Sequence, residues 1–382
     1  MRHEAFEAML PYLTDAAFGN PSSPHSHGRR ARAGLDEAHE RIAAGLNARP
    51  REVVLTSGGT EALNLGLKGI AWAGKARGHR IVTSAVEHHA VGHTLLHLEK
   101  FGFEIVTIPV DRYGRVDPDE VEAALTDRTI LVALQLANNE VGTIQPIAEV
   151  SRRVRERRGI LLAVDAVAAA PYLELDVEAL GVDLLALAAH KFEGPKGAGA
   201  LYLRQGTHIL AQQQGGSQER YRRAGTEDVA AAVGMAVAFE LACQERSRTA
   251  TRLRSLRGRL AAAVIGAAGA EPTGHPSSRL PGLLSVIVPG LDGAELVMAL
   301  DLAGVSASVG SACTTGSLEP SHVLTAMGYP ADEARGSLRL SLGRTTTSEA
   351  VDDAAAVITS VVAAQRAGLA QLAADPLTSG IR

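Results

Sequence analysis

The sequence predicts an α/β fold, in which a large domain with a mostly parallel seven-stranded sheet precedes a smaller α+β domain. Between residues 50 and 205, apolar β-rich runs alternate with helical patterns. These runs are mostly continuous rather than alternating, as expected for parallel strands buried on both faces. After residue 228 the alternation ends, and a long helical tract, Val229–Ala268, leads into shorter mixed elements.

The individual elements follow from these patterns. The predicted strands of the large domain are Val53–Thr56, Arg80–Ser84, Glu104–Pro109, Thr129–Leu136, Ile160–Val164, Leu184–Ala188 and Ala200–Leu203. Helical patterns separate them at Glu61–Ala76, Val91–Lys100, Pro118–Leu125 and Ile147–Arg157. The small domain is predicted to contain strands Leu284–Val288 and Ser337–Ser341 and helices Ala294–Leu302, Pro320–Met327 and Ser348–Ala367. We therefore assign residues 15–245 to the large domain and residues 246–382, with 1–14, to the small one.

Composition narrows the class of protein. The 382 residues are 46% hydrophobic and 21% charged, which is ordinary for a globular protein and excludes dominant disorder. A net charge of −4 gives no basic field for nucleic acid. No apolar run approaches the roughly 18 residues of a membrane span, and the first residues lack the apolar stretch of a signal peptide. We expect a cytoplasmic protein with no direct nucleic-acid or membrane partner.

Polar residues follow several predicted strands at their carboxyl ends, where open α/β sheets bind ligands. Ser57–Glu61 follows the first strand, and its two glycines open a helix whose free N–H groups suit a phosphate. An ordinary turn capped by Thr60 would explain this loop equally well. The other polar groups at strand ends are Glu87-His88-His89, Asn138-Asn139-Glu140, Asp165 and His190-Lys191.

Each of these groups alone has a structural explanation, but the set fits pyridoxal phosphate. A lysine amine would bond the cofactor's aldehyde, Asp165 would pair with the protonated ring nitrogen, and an aromatic or imidazole ring would stack on the ring face. The chain has five lysines in 38 basic residues. Lys191 is the candidate, because the others fall on surface-type helices or in a turn: Lys68, Lys75, Lys100 and Lys196.

The two cysteines, Cys243 and Cys313, provide neither a disulfide framework nor a cysteine zinc site, and we expect no metal. Cys243 lies in an apolar-rich helical pattern, which is typical of a buried, inert thiol. Cys313 lies among small residues in the segment Val309–Ser317, which offers nothing to bury it. We interpret Cys313 as a reactive thiol, which would need a lowered pKa or a nearby base.

An arginine in the second domain is a candidate ligand for a carboxylate. In the strand pattern Ser337–Ser341, Arg339 shares a face with Ser341 and opposes two leucines. A bidentate guanidinium is well suited to binding a carboxylate. A solvated surface arginine fits the same spacing equally well.

The chain resembles the cysteine desulfurases of the class V aminotransferase family, which have fold type I. The resemblance extends from Phe18 to the last helix, and the segment around Cys313 is similar to the long-loop subgroup that serves iron–sulfur and thio-modification pathways. The motifs that carry it are Thr56–Glu61, Glu87-His88, Asn138–Gly142, Val164–Ala166, His190-Lys191, Gly194–Gly197, Arg223–Thr226, Gly310–Thr314, Leu318–Leu324 and Arg339–Arg344.

The resemblance implies how pyridoxal phosphate would be held. Lys191 holds the cofactor and moves protons, Asp165 stabilises its protonated ring, and His88 stacks on the ring and takes part in acid–base chemistry. Thr226 reaches the phosphate bound by the other subunit, which implies a homodimer. The residues implied for binding the phosphate within one subunit are Gly59, Thr60 and His190.

The resemblance also implies the reaction. Asn139 and Arg339 hold the carboxylate of L-cysteine, and Asn139 also contacts the cofactor. Cys313 attacks the sulfur of the bound cysteine, which leaves L-alanine and a persulfide on Cys313. That sulfur then passes to a sulfur acceptor or scaffold protein.

Three departures from the family pattern keep alternatives open. Ala168 replaces a glutamine that hydrogen-bonds the cofactor, Ala188 replaces a serine that touches its phosphate, and Met1 falls inside the helix that follows the relatives' first segment. A selenocysteine lyase or another class V enzyme, and a catalytically impaired sulfur-relay or scaffold protein, therefore stay as alternatives. A nucleotide-binding protein is disfavoured, because Ser57–Thr60 lacks the lysine spacing of a P-loop.

Overall fold

A computed structural model describes residues 1–14, 16–310 and 320–374, and it confirms the predicted α/β class. One sheet has seven strands and the other has three. The strands are β1 Val53–Thr56, β2 Arg80–Ser84, β3 Glu104–Ile108, β4 Thr129–Gln135, β5 Leu161–Asp165, β6 Leu184–Ala188, β7 Gly199–Leu203, β8 Glu271–Pro272, β9 Leu283–Ile287 and β10 Ser337–Ser341.

Helices cover much of the remaining chain. They are α1 His3–Leu13, α2 Ser26–Gly45, α3 Gly59–Gly74, α4 His89–Glu99, α5 Pro118–Ala124, α6 Ile147–Glu156, α7 Val177–Leu180, α8 Gln218–Tyr221, α9 Val229–Ala268, α10 Gly293–Leu302, α11 His322–Ala326, α12 Ala331–Arg335 and α13 Ser348–Ala374. Short 3₁₀ turns form at Pro50–Glu52 and Ala189–Phe192. None of the helices in the described ranges has both the length and the apolar character that crossing a bilayer requires.

The strand order of the large sheet, β1-β7-β6-β5-β4-β2-β3, positions the candidate residues. Strands β2 to β6 are parallel, whereas β7 runs antiparallel to both β6 and β1. The reversal at β7 follows from chain length, because the short connection from β6 cannot make the crossover that a parallel neighbour needs. Since two reversals cancel, β1 points the same way as β6, and their carboxyl ends share one edge.

Burial of this sheet explains its continuous apolar runs. All seven residues of β4 are buried, as are all residues of β1, β6 and β7. The core on one side includes Leu63, Leu67 and Ile70 of α3 and Leu95 of α4. At about 25 cal/mol per Å² of apolar surface, this burial supplies the main force that holds the sheet edge in place.

The chain divides into two compact units. The first unit contains residues 1–109, 116–137 and 145–247, and the second contains 110–115, 138–144 and the chain from 248 onward. The division falls inside α9, near the expected boundary. Residues 1–14 belong to the first unit, which corrects their expected assignment to the small domain. The reason is that the backbone N–H of Arg2 donates to the carbonyl of Glu193 (2.7 Å) and its guanidinium to Glu245 (2.8 Å).

The segment 138–144 belongs to the second unit, although it lies between two strands of the first. Its contacts give the reason: Thr143 bridges with Arg279, and the N–H of Ile144 donates to the carbonyl of Ser278 (2.9 Å). The sheet of this unit is antiparallel in the order β10-β9-β8. Along β10 the side chains alternate as expected, with Leu338 and Leu340 buried and Arg339 half-buried.

Candidate active site

The loop between β1 and α3 forms an anion cradle. Gly58, at φ +150°, is the N-cap of α3 and has no side chain with which to cap the helix. The first N–H groups of α3 therefore suit an anion, which the positive end of the helix also stabilises. A Cβ on Gly59 would lie 2.7 Å from Val167 Cγ2 and 3.4 Å from Ala188 Cβ. Glycine at 59 thus lets the cradle pack directly on the residues that end β6 and follow β5.

A carboxylate and a guanidinium brace this cradle. Glu61, in the first turn of α3, accepts hydrogen bonds from the N–H of Ser57 (2.7 Å) and from Nε of Arg223 (2.8 Å). Burial opposes its charge, but the bonds from Arg223 and Ser57 hold the pKa of Glu61 below its ordinary value. Arg223 also neutralises a negative charge that would otherwise face any anion in the cradle.

A buried acid ends β5 at the same sheet edge. Asp165 is 7% exposed, and its Oδ1 accepts a hydrogen bond from the N–H of Val167 (2.9 Å). Burial raises the pKa of Asp165 from 3.8 to about 6, although that N–H and the charge of Lys191 lower it. A buried carboxylate of this kind is strongly stabilised by a cation placed against it.

A second buried acid lies close to Asp165. Glu87 accepts a hydrogen bond from the hydroxyl of Ser84 (2.6 Å). Burial is the main reason that the pKa of Glu87 is raised to about 8; the hydrogen bond with Ser84 lowers it and the charge of Asp165 contributes to the rise. Asp165 therefore ionises at a lower pH than Glu87, so near neutral pH one acid is charged and its neighbour is protonated.

Three further candidates follow strand ends of the same sheet. His88 is the N-cap of α4, and its Nδ1 accepts from the N–H of Ala90 (3.0 Å), which leaves Nε2 to carry the proton of the neutral ring. His190 and Lys191 are exposed on the 3₁₀ turn after β6. Burial and the charges of Lys191 and Lys196 lower the pKa of His190, which favours its neutral form.

Thr60 and Thr226 are both exposed. Thr60 is the second residue of α3, within the cradle. Thr226 lines a cavity with Ser57 and Arg223, beside the cradle of its own chain. Its expected contact with another subunit's phosphate stays a prediction.

The second unit holds the two residues predicted to bind a carboxylate. Nη1 of Arg339 donates to the carbonyl of Asn139 (3.0 Å) and to that of Gly310 (3.2 Å). Asn138 shapes the loop that presents Asn139, because its Oδ1 accepts from the N–H groups of Glu140 and Val141 (both 2.8 Å). The prediction that Asn139 and Arg339 are neighbours agrees with this geometry, whereas their role stays a prediction.

Cys313 lies outside the described residues, so its placement stays a prediction. The residues on either side of the undescribed segment 311–319 are anchored together. Ser321 donates its hydroxyl proton to Glu140 (2.5 Å), and a Cβ on Gly310 would lie 3.0 Å from Glu140 Oε2 and 3.3 Å from Ser321 Cβ. Gly310 and Ser321 therefore both lie beside Glu140, the residue after Asn139.

Sequence reasoning assigned no role to Glu61, Glu87 or Arg223, although they lie within the matched motifs. A glutamate four residues after Ser57 is a detectable sign of bracing at a helix start, since its side chain can reach back to the loop. The burial of Glu87, in contrast, depends on the strands packed around it and has no local signal.

The residues of the first unit fit pyridoxal phosphate. The cradle offers helix N–H groups to a phosphate. At Gly59 it packs so closely against Val167 that a Cβ on residue 59 would clash. Asp165 is a buried acid suited to a protonated ring nitrogen, and Lys191 is close enough to lower its pKa. Ala188 contributes only a methyl group at the cradle, where a hydroxyl would add a donor.

Comparisons with known proteins agree with this geometry. The family described as "Aminotransferase class-V" matches residues 1–353. The chain is 47% identical over 362 residues to "Cysteine desulfurase IscS" of Methanosarcina thermophila, which covers 95% of this chain and 89% of that one. It is also 47% identical over 350 residues to "Cysteine desulfurase IscS" of Dictyoglomus turgidum, covering 91% and 88%.

The fold comparison gives the same result. A solved structure named "NIFS-LIKE PROTEIN" is 35% identical to this chain with a TM-score of 0.90, and the match covers 95% of this chain and 96% of that one. The fold is therefore that of the fold type I pyridoxal-phosphate enzymes. The chain belongs to the aminotransferase class-V family and, within it, to the cysteine desulfurases.

Proposed function

We propose that this chain is a pyridoxal-phosphate-dependent cysteine desulfurase that converts L-cysteine to L-alanine and stores the sulfur as a persulfide on Cys313. The observation that carries the cofactor assignment is the buried Asp165 at the same sheet edge as the cradle and the Lys191 turn. The similarity to cysteine desulfurases supports the reaction.

The first unit's residues would hold the cofactor. Gly59, Thr60 and His190 bind its phosphate, Asp165 pairs with the ring N–H, and His88 stacks on the ring. Lys191 would hold the cofactor through its aldehyde, and the free amine of Lys191 would take up and return protons at the substrate. When bound, pyridoxal phosphate withdraws electrons from the carbons next to the substrate amine, which weakens the C–S bond.

The second unit's residues would handle the substrate. The guanidinium of Arg339 and the side chain of Asn139 hold the carboxylate of cysteine and so fix its orientation. The thiolate of Cys313 attacks the cysteine sulfur, forming an S–S bond while the C–S bond breaks. L-Cysteine and the enzyme thiol thus become L-alanine and an enzyme persulfide, and no external oxidant or reductant is needed.

The remaining parts of the proposal concern partners. Thr226 reaches the phosphate bound by a second copy of the chain, so the active form is a homodimer. A sulfur acceptor or scaffold protein removes the persulfide sulfur from Cys313. The proposed location is the cytoplasm, and the proposed role is in iron–sulfur or thio-modification pathways, which the resemblance supports.

The decisive test compares two cysteine variants of the full-length protein loaded with pyridoxal phosphate. Cys313→Ala should keep the cofactor's visible absorption but release no sulfide from cysteine. Cys243→Ala is the matched control and should keep activity, because Cys243 is half-buried, receives a hydrogen bond from Arg246 and has a pKa raised by burial. Sulfide and alanine are measured together with the absorption spectrum.

Other outcomes would contradict the proposal. Undiminished sulfide release by Cys313→Ala would exclude Cys313 as the sulfur carrier. Turnover of selenocysteine in place of cysteine would favour a selenocysteine lyase. A wild-type protein that turns over neither, even with cofactor added, would favour the impaired sulfur-relay alternative raised by Ala168 and Ala188.

A further inference from the structure

The short element α8 is a left-handed turn built without glycine. Glu219, Arg220 and Tyr221 have φ values of +45°, +56° and +63°. Side chains with a Cβ disfavour this region, and three such residues in succession need surrounding contacts to hold them there. Tyr221 is 76% exposed, so packing of its own side chain does not provide that restraint.

A buried ion pair holds the first residue of the turn. Glu219 is 6% exposed, and its Oε2 accepts from the N–H of Leu55 in β1 (3.0 Å) and contacts Nε2 of His39 (3.1 Å). The other ring nitrogen of His39 faces the carbonyl of Leu35 at 2.8 Å. Since a carbonyl and a carboxylate only accept, His39 donates from both nitrogens and is positively charged.

A positive charge on His39 agrees with the effect of its surroundings on its pKa. Burial opposes protonation, but the hydrogen bond and charge of Glu219 raise the pKa of His39 above its ordinary value. Glu219 thus joins the turn to β1 and to α2. Breaking a buried pair of this kind is costly, because it leaves one charge without compensation.

The turn leads directly to the cradle. Nη2 of Arg222 donates to the carbonyl of Arg51 (2.8 Å), and Arg223 next to it pairs with Glu61 in the first turn of α3. The side chain of Gln218 in the turn accepts from the N–H of Gly225 (3.1 Å), the residue before Thr226. The turn therefore fixes the residues that flank the cradle.

From these contacts we infer that Glu219 is a positioning residue for cofactor binding. With His39, it holds the left-handed turn 219–221, and the turn keeps Arg223 paired with Glu61 beside the phosphate cradle. When Arg223 moves away, the charge of Glu61 opposes the phosphate. This inference rests on the proposed function, because the anion at issue is the phosphate of pyridoxal phosphate.

The test measures the dissociation constant of pyridoxal phosphate for the full-length protein after removal and re-addition of the cofactor. Glu219→Gln should weaken binding at least tenfold. Adding Tyr221→Gly should restore binding to within about threefold of wild type, because glycine adopts positive φ without a Cβ penalty. Tyr221→Gly alone should bind as wild type does. A role of Glu219 in general stability would not produce this rescue.

A matched control separates relief of the turn from a general gain in stability. Asn47 also has a positive φ, of +53°, but it lies at the end of α2 outside the turn. Asn47→Gly should not rescue Glu219→Gln. A double-mutant cycle provides a second readout, since Glu219→Gln and Arg223→Gln should weaken binding by less together than the sum of their separate effects.

The outcomes distinguish failure of the proposed function from failure of the positioning role of Glu219. Wild type that binds no pyridoxal phosphate would overturn the proposed function and this inference with it. Wild type that binds, alongside a Glu219→Gln variant of equal affinity, would overturn the inference alone. If Glu219→Gln does not fold, Arg223→Gln tests the same link, and unchanged affinity there would also overturn the inference. Thermal unfolding checks that each variant is folded.

Discussion

The two units differ in how they present their functional residues. In the first unit, the candidate groups follow strand ends along one sheet edge, and burial sets the charge of Asp165 and Glu87. In the second, Arg339 comes from an edge strand, is half-buried, and is held by the carbonyls of Asn139 and Gly310. Burial thus tunes the residues proposed to hold the cofactor, whereas hydrogen-bond geometry orients the residues proposed to bind the substrate.

The largest expected effect is on pH-dependent stability in the first unit. The pKa of Glu87 rises from 4.5 to about 8 on folding. The contribution of Glu87 to the free energy of unfolding is therefore fully present below pH 4.5 and is lost as pH rises through 8. Glu87→Gln should therefore stabilise the cofactor-free protein at pH 9, by an upper bound of about 5 kcal/mol, and have little effect near pH 4.

Denaturant unfolding at both pH values measures this difference. Glu99→Gln, at an exposed position in α4, controls for the loss of one negative charge. Equal stabilisation of the Glu87 variant at both pH values would contradict burial as the source of the effect.

The second-largest expected effect is at Asp165, where one substitution should change cofactor affinity and protein stability in opposite directions. Asp165→Asn should weaken pyridoxal phosphate binding about 100-fold or more, because a buried ionic partner is removed. The same variant should stabilise the cofactor-free protein above pH 6 by up to about 3 kcal/mol, since the pKa of Asp165 is raised from 3.8 to about 6. Cofactor titration and unfolding curves measure the two effects.

Asp301→Asn, at an exposed position in the second unit, is the control. An Asp165 variant that kept its cofactor affinity would remove the main support for the cofactor site.

A third effect should appear in the second unit and change substrate binding alone. Arg339→Gln should raise KM for cysteine about 10- to 100-fold, because a charged hydrogen-bond partner of the carboxylate is lost. Cofactor affinity should stay unchanged. Steady-state kinetics with a parallel cofactor titration measure both, and exposed Arg335→Gln is the control. Loss of cofactor with an unchanged KM would reverse the assignment of roles to the two units.

The smallest expected effect is a gain in affinity for pyridoxal phosphate at the cradle. Ala188→Ser should tighten pyridoxal phosphate binding about fivefold. Position 188 lies against Gly59 at the start of α3, so the serine hydroxyl would donate one hydrogen bond, worth about 1 kcal/mol, to a phosphate in the cradle. Ala186→Ser, two residues earlier on the same face of β6, should give no such gain. Equal affinities for the two variants would show that position 188 does not contact the phosphate.

Much of the first unit could be predicted from local pattern. Runs of mostly apolar residues predicted β1, β2 and β6 with the observed bounds, because strands buried on both faces favour apolar side chains at successive positions. The same rule placed Asp165 and Lys191 at one edge. The antiparallel direction of β7 was not predicted, since it depends on which neighbour the strand joins.

The second unit could be predicted less completely. The helix α13 and the strand β10 follow clear periodic patterns, and β10 was predicted with its observed bounds. The membership of residues 110–115 and 138–144 in this unit has no local signal, because it depends on contacts with segments more than 100 residues later.

By itself, the sequence determined the fold class, the strand-end residues and the motifs that indicate the family, because apolar periodicity and glycine placement are local properties of the chain. Only the tertiary structure decided which groups are charged. It buried Glu87 and Asp165, paired His39 with Glu219, and brought Arg223 to Glu61 across 162 residues of chain. Desolvation and ion pairing depend on everything packed around a group, so they exist only once the chain has folded.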